Sequence, residues 1–387
     1  MTGERFKIAI IGGGIGGLFT ANALIKQGLE VTVYEQAQEL GEVGAGIYLT
    51  PNSVRHLQRL GLESAVQKYG ARVGEGSRYY HQDGTEIAPV QVTDSSGWNA
   101  TFGMHRADMI DLLAGPLPKG VIQTGYECTG FEQDDDVARL TFANGKTAEA
   151  DIVIGCDGIH SVLRPIVVPP SVPVFSGSAA YRGVIARELL PDWPADVWRM
   201  WLGEGKHFLV FPLRAGTLLN FVGFVPGDTK IKESWTAPGD PDVLRKEFSG
   251  WDQRIEKLLR QVEQTFLWAL YDRDPLPIWT KGRLTLLGDA AHAMLPHLGQ
   301  GANQSMEDAM ALATILAGAT CETGQAALVA YENLRRQRVA DVQLGARKNG
   351  LRYDSICTSI SDRDVEIVAH ANFRKSVYDY DVVRELS

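Results

Sequence analysis

The sequence predicts an α/β fold carrying an α+β insert. A Rossmann-like dinucleotide-binding domain is interrupted by an antiparallel-sheet domain, is then completed, and is followed by C-terminal helices. Three observations predict it. Residues 6–35 run strand, glycine turn, helix, strand and acid. Two later apolar strands end in glycine–Asp turns, Cys156-Asp157-Gly158 and Gly288-Asp289. Between those turns lie aromatic-rich alternating segments at 179–184, 197–202, 208–213 and 218–225, the pattern of an antiparallel sheet with one covered face.

The first stretch is the most specific. Ile8–Ile11 is an apolar run of strand length, Gly12-x-Gly14-x-x-Gly17 follows it, and Leu18, Ala21 and Ile25 then share a helical face. Leu29, Val31 and Val33 alternate and end at Glu35. The first glycine allows a tight turn, the second lets backbone approach a pyrophosphate, and the third lets helix pack on strand. The helix N-terminus offers unpaired N–H groups and a positive dipole end to phosphate. Glu35 would accept hydrogen bonds from a ribose hydroxyl. An ordinary glycine-rich turn is the competing reading, and the spacing of the acid weighs against it.

After Glu35 a glycine-rich loop, 41–46, leads to a helix over 53–60. Residues 72–92 read as a hairpin turning at Asp83-Gly84, and 102–113 as a strand end followed by a helix. Three strand-like runs fill 122–154, the last two joined at Asn144-Gly145. Asp134, Asp135 and Asp136 sit in a solvated turn, not a metal site. A Pro-rich connector, 165–173, precedes the aromatic sheet, and helical patterns occupy 240–264. The α/β pattern resumes at Arg283–Asp289, with a helix from about Gln304 to Ala317 buried through Met306, Ala309, Met310 and Ala313. The expected division is 1–75, 98–170 and 276–346 for the nucleotide domain, 76–97 and 171–275 for the sheet domain, and 347–387 for a helical tail.

Bulk properties bound the function. The 387 residues suffice for two or three domains with ample core. A net charge of −9 and the absence of any basic block argue against a nucleic-acid partner. No run of about 18 apolar residues predicts a membrane span. The first apolar stretch is broken by five glycines in six residues, so no signal peptide is expected. Cys128, Cys156, Cys321 and Cys357 are scattered without metal spacing, so the simplest reading is free thiols in a reducing cytoplasm.

Each glycine–Asp turn alone is explained by the turn chemistry of Asp beside Gly. Together, at the carboxyl ends of strands where open α/β sheets bind ligands, they read as acceptors for a polyol. Gly12 to Gly17 with Glu35 and these two turns resemble the three signatures of single-component FAD-dependent aromatic monooxygenases, over about residues 6 to 345. Further echoes are Gly41-Glu-Val-Gly-Ala-Gly-Ile47, Phe175-Ser-Gly with Ala180-Tyr-Arg-Gly183, Leu270-Tyr-Asp-Arg273, and the long stretch Gly282 to Ala309. Within that group the chain most resembles salicylate hydroxylase, 3-hydroxybenzoate 6-hydroxylase and 6-hydroxynicotinate 3-monooxygenase.

The resemblance implies bound FAD, NADH or NADPH as a transient reductant, and O₂ activated as a flavin C4a-hydroperoxide. It implies that Glu35 binds the adenosine ribose, Arg106 the pyrophosphate and Asp289 the ribityl chain, with Asp157 in the second signature. Gly299 to Asn303, including Gly301 and Ala302, would lie against the isoalloxazine, their N–H groups stabilising negative charge on the reduced ring. Gly46 and its loop would flank the flavin's other side. Without the resemblance, Arg106 reads as a surface arginine at a helix start.

A phenol has a pKa of ~10, so removing its proton during electrophilic attack calls for a base. His207, in Gly205-Lys-His-Phe-Leu-Val-Phe-Pro212, matches the histidine that such hydroxylases place over substrate; a rim histidine at a strand end is the alternative. Phe211 stands where some relatives carry Tyr, on the same strand face as His207. Arg182 reads as a partner for a substrate carboxylate or the flavin edge, or as an inter-strand structural arginine. Pro296 and His297 fall on the substrate side, with His292 packed behind Asp289. The expected substrate is a small phenolic or hydroxy-N-heteroaromatic acid, with decarboxylation if it is salicylate-like. A reductase of the same fold without oxygenation, and a hydroxylase or epoxidase of a larger secondary metabolite, stay open. A monomer or homodimer is expected. No motif assigns the tail through Tyr378-Asp-Tyr-Asp381.

Overall fold

A computed structural model describes residues 6–41, 46–228, 237–355 and 359–386. The centre of the first sheet is Lys7–Ile11, whose Ile8, Ala9, Ile10 and Ile11 are all buried, as a strand covered on both faces must be. Glu30–Glu35 and then Ile122–Thr124 lie parallel on one side, and Ile152–Gly155 and then Leu284–Leu286 parallel on the other. Thr280–Lys281 closes the edge antiparallel. The helix Ile15–Lys26 follows the glycine turn and packs on the helix Gly301–Ile315.

The expected three strands over 122–154 are five. The chain breaks at Gly125, whose φ is +72°, and again at Asp151, where it leaves a small antiparallel sheet and enters the parallel one. Asn144-Gly145 and Asp134–Asp136 occupy the two turns of that small sheet, and no metal-binding acid cluster occurs among the described residues.

Among the described residues the second sheet has eight strands, in the order 238–239, 265–272, 174–186, 218–226, 207–213, 199–202, 78–81 and 86–89. It is antiparallel except where Arg199–Leu202 meets Arg78–His81. That pair is parallel because the hairpin 78–89 reaches the sheet through a long crossover rather than a turn. The helix expected from Gln304 starts at Gly301, and the 240–264 region holds two short helices capped by Asp240 and Asp252.

Gly301–Ile315 carries two buried acids, Glu307 and Asp308. Arg335, on the long helix Gly324–Tyr353, lies 2.8 Å from each of them. Arg338 adds a second cation at 2.9 Å from Glu307, and His292 sits 2.6 Å from Asp308. The tail folds back over this region: Arg59 grips Asp381 through two 2.7 Å bonds, and Arg338 lies 3.6 Å from the Tyr380 ring centre. No helix among the described residues is long and apolar enough to cross a membrane.

Removing the cation from a buried pair leaves a bare charge in low dielectric, so Arg335→Ala should cost about 3–5 kcal/mol, measured by urea unfolding. Stability should also fall in acid. Burial holds His56 down to about 3, so the unfolded chain binds more protons from about pH 6.5 downward and stability declines through that window. Burial works against Glu307, but Arg338 and Arg335 outweigh it and hold its carboxyl at about 2, extending the loss below pH 4.5. Urea midpoints between pH 7.5 and 5 test the histidine part. His56→Gln should make that slope shallower without abolishing it, because burial holds His297 and His370 at about 3 as well.

Candidate active site

A cavity of about 490 Å³ opens at the carboxyl ends of the parallel strands. Gly12 has φ +110°, and a Cβ there would stand 2.3 Å from the Cys156 carbonyl oxygen. A Cβ on Gly17 would stand 1.9 Å from the Gly12 carbonyl oxygen, so this glycine lets the helix approach the strand. A Cβ on Gly14 would meet nothing within 4 Å among the described residues, and Gly14 lines the cavity beside a helix N-terminus without a side-chain cap.

Glu35 accepts from the Gly13 amide at 2.6 Å and the Ala37 amide at 2.8 Å, which orients its carboxylate at the cavity wall. Asp157 accepts from the Val162 amide at 2.8 Å through Oδ2, while its buried Oδ1 has no hydrogen-bond partner among the described residues. Burial pushes this carboxyl up. Arg106 opens the helix Arg106–Ala114; burial lowers its pKa and nearby Asp289 opposes that shift. Gly301 and Ala302 line the cavity at the start of their helix, which also has no side-chain cap. An orphaned acceptor, a cation and two open helix N-termini fit a dinucleotide with a polyol segment.

Three of the glycine-turn and loop residues do not line this cavity. Gly17 faces the strand, as its expected role in helix–strand packing requires. The Asn303 side chain accepts from the Thr50 amide and donates to the Tyr48 and Gly299 carbonyls, so it fixes the loop rather than facing the cavity. Gly46 donates to Asn220 Oδ1 at 2.9 Å, and its Cβ would meet the Phe211 ring at 2.8 Å, so it packs on the second sheet. The rest of its loop, 42–45, and Cys357 lie outside the described residues.

Strand register gathers the remaining residues on one face of that sheet. Three rows cross it: His207, Phe224 and Ala180; Leu209, Val222 and Arg182; and Phe211, Asn220 and Val184. Leu209 and Val222 are only half-buried between buried neighbours, which marks the centre of the face as bordering open space. Arg182 lies 5.5 Å from the Trp268 ring centre; burial and Arg106 hold its pKa down to about 10.

His207 is fully buried. Its Nδ1 lies 2.7 Å from Asp354 Oδ1, and its ring stacks on Phe224 with centres 4.0 Å apart. The carboxylate can only accept, so it fixes the proton on Nδ1 and leaves Nε2 as the acceptor. Nε2 has no hydrogen-bond partner among the described residues. His297, in the turn Pro296–Leu298, lies 5.2 Å from His207 between ring centres and is held neutral by burial, with its pKa down to about 3.

Sequence reasoning missed Asp354, which is 147 residues from His207 and carries no local motif. It also missed Arg164, which donates to the carbonyls of Ala290, Ile159, Gly158 and Asp289 and so clamps the two glycine–Asp turns together. A buried arginine beside a Pro is no signal by itself.

Gly17→Ala should cost about 3 kcal/mol or more, since the opposing atom is backbone, whereas Gly14→Ala should keep the fold and hold the dinucleotide more weakly. Thermal midpoints and bound cofactor per chain distinguish the two.

The family described as "FAD binding domain" matches residues 5–345. The chain is 39% identical, over 90% of its length and 89% of the relative's, to a 3-amino-4-hydroxybenzoate 2-monooxygenase of Streptomyces platensis. It is 34% identical to a 6-hydroxynicotinate 3-monooxygenase of Bordetella bronchiseptica, covering 89% of this chain and 91% of that one. A solved salicylate hydroxylase substrate complex superposes with a TM-score of 0.85 at 30% identity, covering 98% and 97% of the two chains. With the cavity and its glycine turn built as that fold requires, the chain belongs to the FAD-binding-domain family of flavoproteins.

Proposed function

We propose that this chain hydroxylates a small phenolic or hydroxy-N-heteroaromatic acid, with His207 as the base that takes the ring hydroxyl's proton. The chain is an FAD-dependent aromatic monooxygenase using NAD(P)H and O₂. Bound FAD supplies the redox chemistry: hydride comes from NADH or NADPH, and one oxygen atom goes to substrate and the other to water. The relatives are named for oxygen insertion, which favours this reading over a reductase.

The single observation that carries the role of His207 is its orphaned, buried Nε2, with Nδ1 held by Asp354 at 2.7 Å. The proton leaves the substrate for Nε2, and the Asp354 carboxylate stabilises the imidazolium formed. Phe211, Pro296 and neutral His297 line the same chamber, and Arg182 lies on its flavin side, near Arg106. Glu35 would hold the adenosine ribose, Arg106 the pyrophosphate, and Asp289 with Asp157 the ribityl region. Amides at Gly301 and Ala302 would face the flavin ring from a helix N-terminus, where negative charge is favoured.

On this reading, 1–75, 98–170 and 276–346 form the FAD domain, and 76–97 with 171–275 the substrate domain. The tail from 347 closes the chamber. A cytoplasmic monomer or homodimer, without nucleic-acid or membrane partners, completes the proposal. A salicylate-like substrate would lose CO₂ on ipso attack.

The purified protein should be yellow with FAD bound. His207→Ala should keep FAD and lower coupled hydroxylation by about 10²–10⁴-fold, the range of general-base catalysis. Product mass scored against NAD(P)H consumed checks this, and unchanged coupling on a phenolic acid removes His207 from its role.

A further inference from the structure

Resting on that reading of the chamber, we infer that Arg374, from the unassigned tail, holds the carboxylate of the aromatic substrate. Arg374 lies on the helix Ala371–Asp379 and is buried. Its Nη2 donates to the Tyr353 hydroxyl at 2.8 Å, and Tyr353 is 3.3 Å from the Tyr79 hydroxyl. No carboxylate comes within 4.0 Å of it among the described residues, and its Nε has no hydrogen-bond partner there.

Other buried arginines are compensated differently. Arg335 has Glu307 and Asp308, Arg363 has Asp364, and Arg164 and Arg283 are each wrapped by backbone carbonyls. A guanidinium taken from water needs an anion or a full set of acceptors. Arg374 has one phenol oxygen in good geometry. Tyr378 stands close enough for the guanidinium to oppose burial's upward push on its phenol. Even so, the hydroxyls of Tyr378 and Tyr48 are buried without well-aligned partners among the described residues. Donors without acceptors in one buried place are complementary to an anion with several lone pairs.

The cluster adjoins the chamber. Tyr79 shares a sheet row with Met200 and Leu209, and through Leu209 with Val222 and Arg182. The Tyr48 ring lies 6.1 Å from that of Phe211, and the Tyr353 ring 5.3 Å from His207. Tyr353 therefore spans from the base to Arg374. An aromatic acid whose hydroxyl lies across the ring from its carboxylate, set alongside Tyr353, would direct the carboxylate toward Arg374 and the hydroxyl toward His207 Nε2.

Binding is read from the perturbation of flavin absorbance in the holoenzyme, with salicylate, 4-hydroxybenzoate and 6-hydroxynicotinate, each against its own amide. Wild type should prefer at least one acid over its amide. Arg374→Gln should weaken that acid about 10- to 100-fold, the value of a hydrogen bond to a charged group, and leave the amide within about threefold. Arg374→Lys, which keeps the charge without the fork, should fall between and serves if the glutamine variant loses FAD. Equal losses for acid and amide, an unchanged acid preference, or a wild type with no such preference overturns the assignment. Those failures leave the hydroxylase standing wherever wild type still makes a hydroxylated phenol; no hydroxylated product from any phenol overturns the hydroxylase itself.

Discussion

The structure depends on a buried ionic network beneath the loop that borders the dinucleotide cavity. Glu307 and Asp308 sit on consecutive positions of Gly301–Ile315, where solvation is lost completely. Two carboxylates in such a place are tolerable only because Arg335, Arg338 and His292 meet them. Asn52 donates to Glu307 at 2.6 Å and also to Gln300, and Asn303 binds the Thr50 amide. The acids thereby fix the helix, the loop before it, and the strand–helix junction at 48–53 as one body.

That rigidity serves two sites at once. On one side the helix start, Gly301 and Ala302, closes the dinucleotide cavity. On the other, Gly299 abuts Tyr48 and the turn at Pro296–Leu298 brings His297 to His207. A cofactor that reacts with a separately held substrate needs the two surfaces in fixed relation, because small misplacements are costly in rate. The clamp of Arg164 on four carbonyls does the same for the two glycine–Asp turns.

The chamber is assembled from remote pieces. On the proposed reading the sheet contributes His207, Phe211 and Arg182 through register, the long helix Tyr353, with Asp354 just past its end, and the tail Arg374 and Tyr378. On that reading the tail is a wall of the site. Its charged contacts, Arg59 with Asp381 and Arg338 over Tyr380, tie it to the same acid network.

The glycine turn, its acid and the two glycine–Asp turns were legible in the sequence because each is a local geometry that only a few residue types satisfy. A positive φ at Gly12 and the backbone approach at Gly17 leave their mark within a few positions. Alternation likewise put His207 and Phe211 on one face, since side-chain direction along a strand has period two. The contacts of Asp354 and Arg374, and the partners of the Gly46 amide and the Asn303 side chain, were decided only by the tertiary structure. Those outcomes depend on contacts between segments more than a hundred residues apart, and burial, not spacing, determines which polar atoms are left needing a partner.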